Sequence, residues 1–422
     1  MTPVAIDLPA PATGADFWYP RGAVVPRVRP LDTFLFKIAS RCNLACPYCY
    51  VYELRDQSWR SQPSFMSEAT MEVALERIRD HVVAHSIPVV SVIFHGGEPL
   101  LVGPRRLDRF AEMARDKLSD VAELQLGAQT NGTLFNTSFI ELARRHGMRF
   151  GLSVDGPAHH QDRVRIHPNG RGSSDLVERA AILLRENPDA FGGILCVISL
   201  DIQPAEVWDY LSQLRPKSVD LLLPLATYDH LPPGANTLSE VARYGEWLVA
   251  FLELWYRAGD DRPDVRYFSS IMRMLLGRPS LVESIGVNIT SLIVIESNGD
   301  LEAVDSLKAC YQGAASTGLN VMRNAFDDAF DHPAIVSRQM GAASLSSACR
   351  DCAFLNVCGG GYQPHRYSSA RGFQNPTIYC EALQMLISRT AALMSAEFAE
   401  LQMPIPPLVK ALANASCRHQ AV

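Results

Sequence analysis

The residues with the clearest chemistry are Cys42, Cys46 and Cys49. Their C-x3-C-x2-C spacing follows Thr33–Ala39, a short apolar run that reads as a β-strand. Three thiolates on one loop can hold three irons of a cubane iron–sulfur cluster and leave the fourth iron open, whereas electron-transfer clusters are closed by four cysteines. An open iron invites a small molecule to bind there. A second group, Cys349-x2-Cys352-x5-Cys358 with Cys380 further on, lies near the other end, and Gly359, Gly360 and Gly361 follow Cys358 at once. A four-thiolate zinc site, a [4Fe–4S] cluster and a disulfide pair compete for this group. Its second half is not a compact C-x2-C knuckle, which disfavours a zinc ribbon, and the three-cysteine loop already implies cluster assembly. Of the remaining cysteines, Cys196 sits in an apolar run and reads as core, while Cys417 lies in a polar tail with no assigned role.

Other candidate residues follow strands. From 31 to about 226, apolar β-branched runs at 33–39, 89–95, 123–130, 149–154, 193–200 and 218–226 alternate with helical patterns at 67–85, 104–119, 137–147, 174–187 and 204–214. Ser67 reads as one N-cap, and Thr137 or Ser138 as another. Six strands at this pitch predict an α/β fold, a partial (β/α)6 TIM-like barrel whose site lies at the strand C-terminal ends. Those ends carry the cysteine loop, then Gly96-Gly97-Glu98-Pro99, Thr130-Asn131-Gly132 and Ser153-Val154-Asp155-Gly156-Pro157. Taken singly each is a turn signal; together they converge on one mouth. Glycines there let a ligand approach the backbone, Glu98 can hold an ammonium group, and Ser153 or Asn131 can hydrogen-bond a ribose.

The expected organisation is an N-terminal arm at 1–30, the barrel at 31–235, a helical bridge at 236–288, a cysteine-bearing extension at 289–403 and a tail at 404–422. The arm reads as extended or disordered, with Phe17, Trp18 and Tyr19 as a patch that packs on the body or touches substrate. Trp247, Phe251 and Trp255 at i, i+4, i+8 read as packing, and Asn298-Gly299 between two apolar runs reads as a hairpin. A closing helix is expected over 381–403.

At 422 residues, 47% hydrophobic and 20% charged, the composition is that of an ordinary globular protein. A formal charge of −6 without a basic stripe excludes a nucleic-acid partner from the expectations. The absence of an apolar run of about 18 residues excludes a membrane span. With no signal-peptide pattern at the start, the expected location is the cytoplasm, where metal ligation outranks disulfides.

The C-x3-C-x2-C loop, with Tyr48 before its last cysteine, and the Gly-Gly-Glu-Pro that follows resemble the radical S-adenosylmethionine (SAM) superfamily. The C-terminal cysteines resemble its SPASM extension, which carries auxiliary iron–sulfur clusters in enzymes that modify ribosomal peptides. Tyr50-Val-Tyr-Glu53, Asp56-Gln-Ser-Trp59, His95-Gly-Gly-Glu-Pro99, Asp305-Ser-Leu-Lys308 and Cys358-Gly-Gly-Gly-Tyr-Gln-Pro-His-Arg-Tyr367 are similar to the FxsB-type maturases. Those enzymes form cyclophanes by joining an aromatic side chain to the β-carbon of a nearby residue.

The resemblance implies that Cys42, Cys46 and Cys49 ligate a [4Fe–4S] cluster whose open iron chelates SAM. It places Gly96, Gly97 and Glu98 at the methionine amino end, Ser153 and Asn131 at the ribose, Arg163 or Arg165 near the carboxylate, and Val197 or Ile198 with Tyr48 against the adenine. Bound SAM would be split to a 5′-deoxyadenosyl radical. A full SPASM pattern has a further cysteine where this chain has Tyr362, and only Cys310 represents an expected upstream pair. One auxiliary [4Fe–4S] cluster, on Cys349, Cys352, Cys358 and Cys380, is therefore expected, with Asp305 as the base that takes a ring proton. The implied partners are a ribosomal precursor peptide and an external one-electron reductant. Thioether formation, epimerisation, Ser or Cys oxidation, and a non-catalytic zinc-binding peptide carrier are the rival readings.

Overall fold

The computed structural model describes residues 14–26 and 28–415; Cys417 and the first thirteen residues of the arm lie outside them. Ten strands form one sheet: β1 (Thr33–Ala39), β2 (Val89–Gly96), β3 (Glu123–Thr130), β4 (Arg149–Ser153), β5 (Phe191–Val197), β6 (Ser218–Leu222), β7 (Asp264–Val265), β8 (Leu292–Ile295), β9 (Asp300–Glu302) and β10 (Ser316–Asn320). Their spatial order is β10-β9-β8-β1-β2-β3-β4-β5-β6-β7. β1 to β7 pair in parallel with sequence neighbours, each separated by a crossover, as the alternating texture requires.

Alternation along β1 buries Phe34, Phe36 and Ile38 completely and leaves Lys37 pointing to the other face, also buried. β2 repeats the device with Val90, Val92 and Phe94. The helices Glu68–His85, Pro104–Leu118, Thr137–His146, Ser174–Glu186 and Pro204–Leu214 cover this sheet. Ser67 caps the first, its Oγ accepting from the Thr70 amide at 3.0 Å. Asn136, rather than Thr137 or Ser138, caps the third, accepting from the Ser138 amide at 3.0 Å. A short helix after β4, Ala158–Val164, was not legible in the pattern.

The sheet does not stop where the barrel pattern ends. The Asn298-Gly299 hairpin forms, with β8 and β9 antiparallel, but β8 also lies parallel to β1. The segment expected to start a separate extension thus continues the barrel sheet on the far side of β1. The helices Arg243–Arg257 and Arg266–Leu275 are split by β7, and Trp247, Phe251 and Trp255 are buried core residues as expected. The closing helix, Cys380–Glu400, packs against Arg243–Arg257 at Gly245, where a Cβ would come within 2.6 Å of Ala382 Cα.

At the N-terminus, Phe17 and Trp18 are buried, with Trp18 stacked on Phe373 at 4.5 Å. They pack on the cysteine-bearing extension. Beyond Met403, Pro407–Ala413 forms a further helix that buries Val409 and Leu412. No helix of the described residues is long and apolar enough to cross a membrane.

Candidate active site

The strand C-terminal ends and the extension enclose a cavity of about 460 Å³. Its wall includes Cys42, Cys46, Cys49, Tyr48, Gly96, Gly97, Asn131, Ser153, Val197 and Asp305, so most of the residues singled out in the sequence meet there. Burial pushes the Cys42 thiol up to about 12 and Cys46 up to about 11. Such thiols give up their protons only when a metal centre replaces them.

Gly97 is held tightly: a Cβ there would meet Tyr52 Oη at 1.9 Å and the Arg41 carbonyl at 2.5 Å. Ser153 Oγ accepts from Gln129 Nε2 at 2.9 Å, which leaves the hydroxyl hydrogen for a ligand. Asn131 is committed to the cysteine loop. Its Nδ2 donates to Asn43 Oδ1 at 3.0 Å and to Cys42 Sγ at 3.7 Å, while its Oδ1 accepts from Thr133.

Two expectations need correction. Glu98 does not reach the cavity with a free carboxylate. It is fully buried, and its oxygens accept from the Leu100 amide at 3.0 Å, Thr130 Oγ1 at 2.7 Å and the Asn131 amide at 2.7 Å. Its role is to tie the loop after β2 to the loop after β3, and burial pushes its pKa up to about 7. Arg163 is not at the site either: its side chain is 64% exposed, 3.9 Å from Asp201. Arg165 lines the cavity instead. Helix geometry decides between them, because Arg163 is on the outer face of Ala158–Val164 and Arg165 follows its end.

Asp155 is the residue that sequence reasoning missed, although it was in view within the loop after β4. Its carboxylate takes Arg165 Nε at 2.8 Å and Nη2 at 3.1 Å, the Tyr48 hydroxyl, and the Val197 amide at 2.9 Å. It therefore fixes the guanidinium, the tyrosine and the end of β5 at once. Asp305 anchors the opposite wall. It pairs with Lys37 and accepts from Tyr50 Oη at 2.6 Å, and Lys37 Nζ lies 3.4 Å from His95 Nδ1. Burial pushes Asp305 upward, but the Lys37 charge and these bonds outweigh it and hold the carboxyl well below the usual range. The same burial and the same lysine lower His95 to about 4, leaving the imidazole neutral.

In the extension, Cys349, Cys352 and Cys380 lie within electrostatic reach of Cys358. Gly359, Gly360 and Gly361 all take left-handed φ angles of 60°, 76° and 66° as the chain wraps this group. Among the described residues, neither cysteine set has three sulfurs within 4.8 Å of one another. A tetrahedral zinc thiolate needs sulfurs about 3.8 Å apart, from Zn–S bonds of about 2.3 Å. Cys310 is buried, its Sγ 3.9 Å from the Pro364 carbonyl. The group that does meet the closer criterion, His81, His85 and Asp327, is a hydrogen-bonded clamp: His81 Nε2 accepts from the Leu31 amide, so Nδ1 carries the proton that it donates to Asp327.

A partial parallel barrel with three thiolates at its mouth defines a class. Residues 36–212 match the Radical SAM superfamily. SAM and a [4Fe–4S] cluster are its cofactors, and the three cysteines, the Gly96-Gly97 backbone, Ser153 and Arg165 fit them. The chain is similar to the cysteine-type anaerobic sulfatase-maturating enzyme of Clostridium perfringens, with 26% identity over 84% of this chain and 94% of the relative. The structure of anSMEcpe with bound AdoMet shares its fold, at TM-score 0.72 and 22% identity, over 91% of this chain and 100% of the other. Streptococcus suis SuiB bound to precursor peptide SuiA superposes at TM-score 0.53 with 17% identity, over 83% of this chain and 76% of the other.

Proposed function

We propose that this chain is a radical SAM maturase that modifies a ribosomally made peptide, joining an aromatic side chain to the β-carbon of a nearby residue. The observation that carries the reading is the make-up of the cavity. A buried, ionised Asp305 shares it with a broad apolar face formed by Leu221–Leu225, Tyr267 and Val282. That face offers an aromatic side chain a dry surface to pack on, and the carboxylate offers its ring proton an acceptor.

Bound SAM and its cluster, reduced by an external one-electron donor, supply hydrogen-atom abstraction from an unactivated carbon. The protein orients and shields. Arg165, Ser153 and the Gly96-Gly97 backbone would hold the polar end of the cofactor, and Val197 would cover its apolar part. Forming the C–C bond removes two hydrogens in all. One leaves as the abstracted atom, and the other leaves as a ring proton together with one electron. Lys37 and Tyr50 keep Asp305 ionised, so it is a weak base. A weak base suffices, because the proton comes from an oxidised ring that regains aromaticity. Cys349, Cys352, Cys358 and Cys380 would hold the auxiliary cluster that takes the electron.

The sulfatase-maturating relative favours a second reading, oxidation of a peptide Ser or Cys to an aldehyde. Anaerobic co-expression with the precursor peptide encoded next to the gene separates the two. The expected product has lost two hydrogens, does not react with hydroxylamine, and gives no backbone fragments inside the cross-linked segment. An aldehyde-reactive product would replace the first reading with the second.

A further inference from the structure

The short helix Gln363–Arg366 follows the three glycines after Cys358 and ends in an arginine that the mechanism above does not use. Arg366 is 5% exposed, and its Nε and Nη1 have no hydrogen-bond partner. Among the described residues no carboxylate lies within ion-pair distance of it. Its backbone carbonyl is taken by Asn375 Nδ2 at 2.8 Å, so the segment is pinned while Nε and Nη1 are not. Arg338, which shares a small cavity of about 50 Å³ with it, shows the usual arrangement: it is paired with Glu283 at 2.9 Å and bonded to the Ala303 carbonyl at 2.7 Å. An isolated buried cation is costly, and such groups are paired or they neutralise.

Cys349 and Cys358 are near enough to act on Arg366, and as thiolates they would oppose the cost of burying its charge. Gly360, two residues after Cys358, brings the wrapping backbone beside the guanidinium, since a Cβ there would lie 3.6 Å from Arg366 Nη1. A cubane closed by four thiolates is dianionic and its sulfurs accept N–H bonds, which also tune its potential. We infer that Arg366 is the buried charge partner of the auxiliary cluster, a positioning residue whose N–H groups face Cys349 and Cys358 and set the potential at which the cluster takes its electron. A water in the small cavity would satisfy one N–H and leave the charge in place. The inference rests on the auxiliary-cluster reading and is tested so that the two can fail separately.

The full chain carrying C42A, C46A and C49A is loaded anaerobically with iron and sulfide, so that any remaining cluster is the auxiliary one. Iron, sulfide and zinc content are measured, and the midpoint potential is followed by electron paramagnetic resonance during redox titration. Arg366→Gln is expected to disfavour reduction at least tenfold, a shift of about 59 mV to more negative potential for one electron. Arg366→Lys keeps the charge and is expected to remove most of that shift. If Arg366→Gln loses the cluster while Arg366→Lys retains it, the charge assignment stands. An intact cluster with unchanged potential in Arg366→Gln overturns it, as does loss of the cluster in both variants, which would mark a packing role. Zinc without iron and sulfide in the parent with Arg366 intact overturns the auxiliary-cluster reading itself, and the inference with it.

Discussion

Each cysteine site has one buried arginine beside it, and the two are treated differently. Arg165, next to Cys46, is gripped by Asp155 through two nitrogens. Arg366, next to Cys349 and Cys358, has no carboxylate partner among the described residues. The first site must admit and release a cofactor, so its charges are balanced within the protein and the cation stays solvable when the cavity is empty. The second is wrapped by three left-handed glycines and is built around something permanent. Its cation waits for a charge that the polypeptide does not supply.

The largest effect that tests this contrast is the loss of one thiolate. Cys46→Ala should abolish 5′-deoxyadenosine formation while about half of the iron remains, held by the second site. Loss of all iron from that variant would mean that the two sites load as one. Asp305→Asn comes next, with SAM cleavage preserved and peptide product reduced about 10²–10⁴-fold, the usual range for a general base. Normal product formation would remove Asp305 from the mechanism.

Arg165→Gln leaves Asp155 buried without its cation and should cost about 3–5 kcal/mol in urea unfolding of the apo protein. Glu98 gives a pH signature of the strand-end site. Its folded pKa is raised from 4.5 to about 7, so its contribution is fully present below its ordinary pKa and lost as pH rises through 7. Between pH 5 and 7.5 the wild type should lose about 2 kcal/mol relative to Glu98→Gln. Parallel pH profiles for the two proteins would refute the shift. Arg163→Gln is the smallest effect, within about 0.5 kcal/mol and with SAM binding unchanged.

Sequence patterning located β1 to β6 within a few residues because each is a short apolar run between amphipathic helices. It located the cysteines because thiol spacing is a local property of one loop. Side-chain direction was the harder quantity. Arg163 and Arg165 are two residues apart, and only the unforeseen helix Ala158–Val164 turns the first outward. Glu98 was legible as a special residue but not as a tie between loops, since its partners Thr130 and Asn131 are brought near only by the pairing of β2 with β3. Lys37 reads as a stray charge in an apolar strand until Asp305, 268 residues away in the chain, is placed beside it.

The parallel pairing of β8 with β1 has a consequence for how the molecule can be divided. Thr33, Phe34, Leu35 and Phe36 take their ladder partners on one side from Leu292–Ile295. A chain ended before Leu292 would therefore lose more than the second cysteine site. It would turn the strand that feeds the first cysteine loop into an open edge, with unpaired backbone groups ready to recruit another chain. During synthesis that edge is uncovered until about 250 residues after β1 have emerged, and contacts of such long range form slowly. The first cysteine loop is thus finished late, by residues from the far end of the chain.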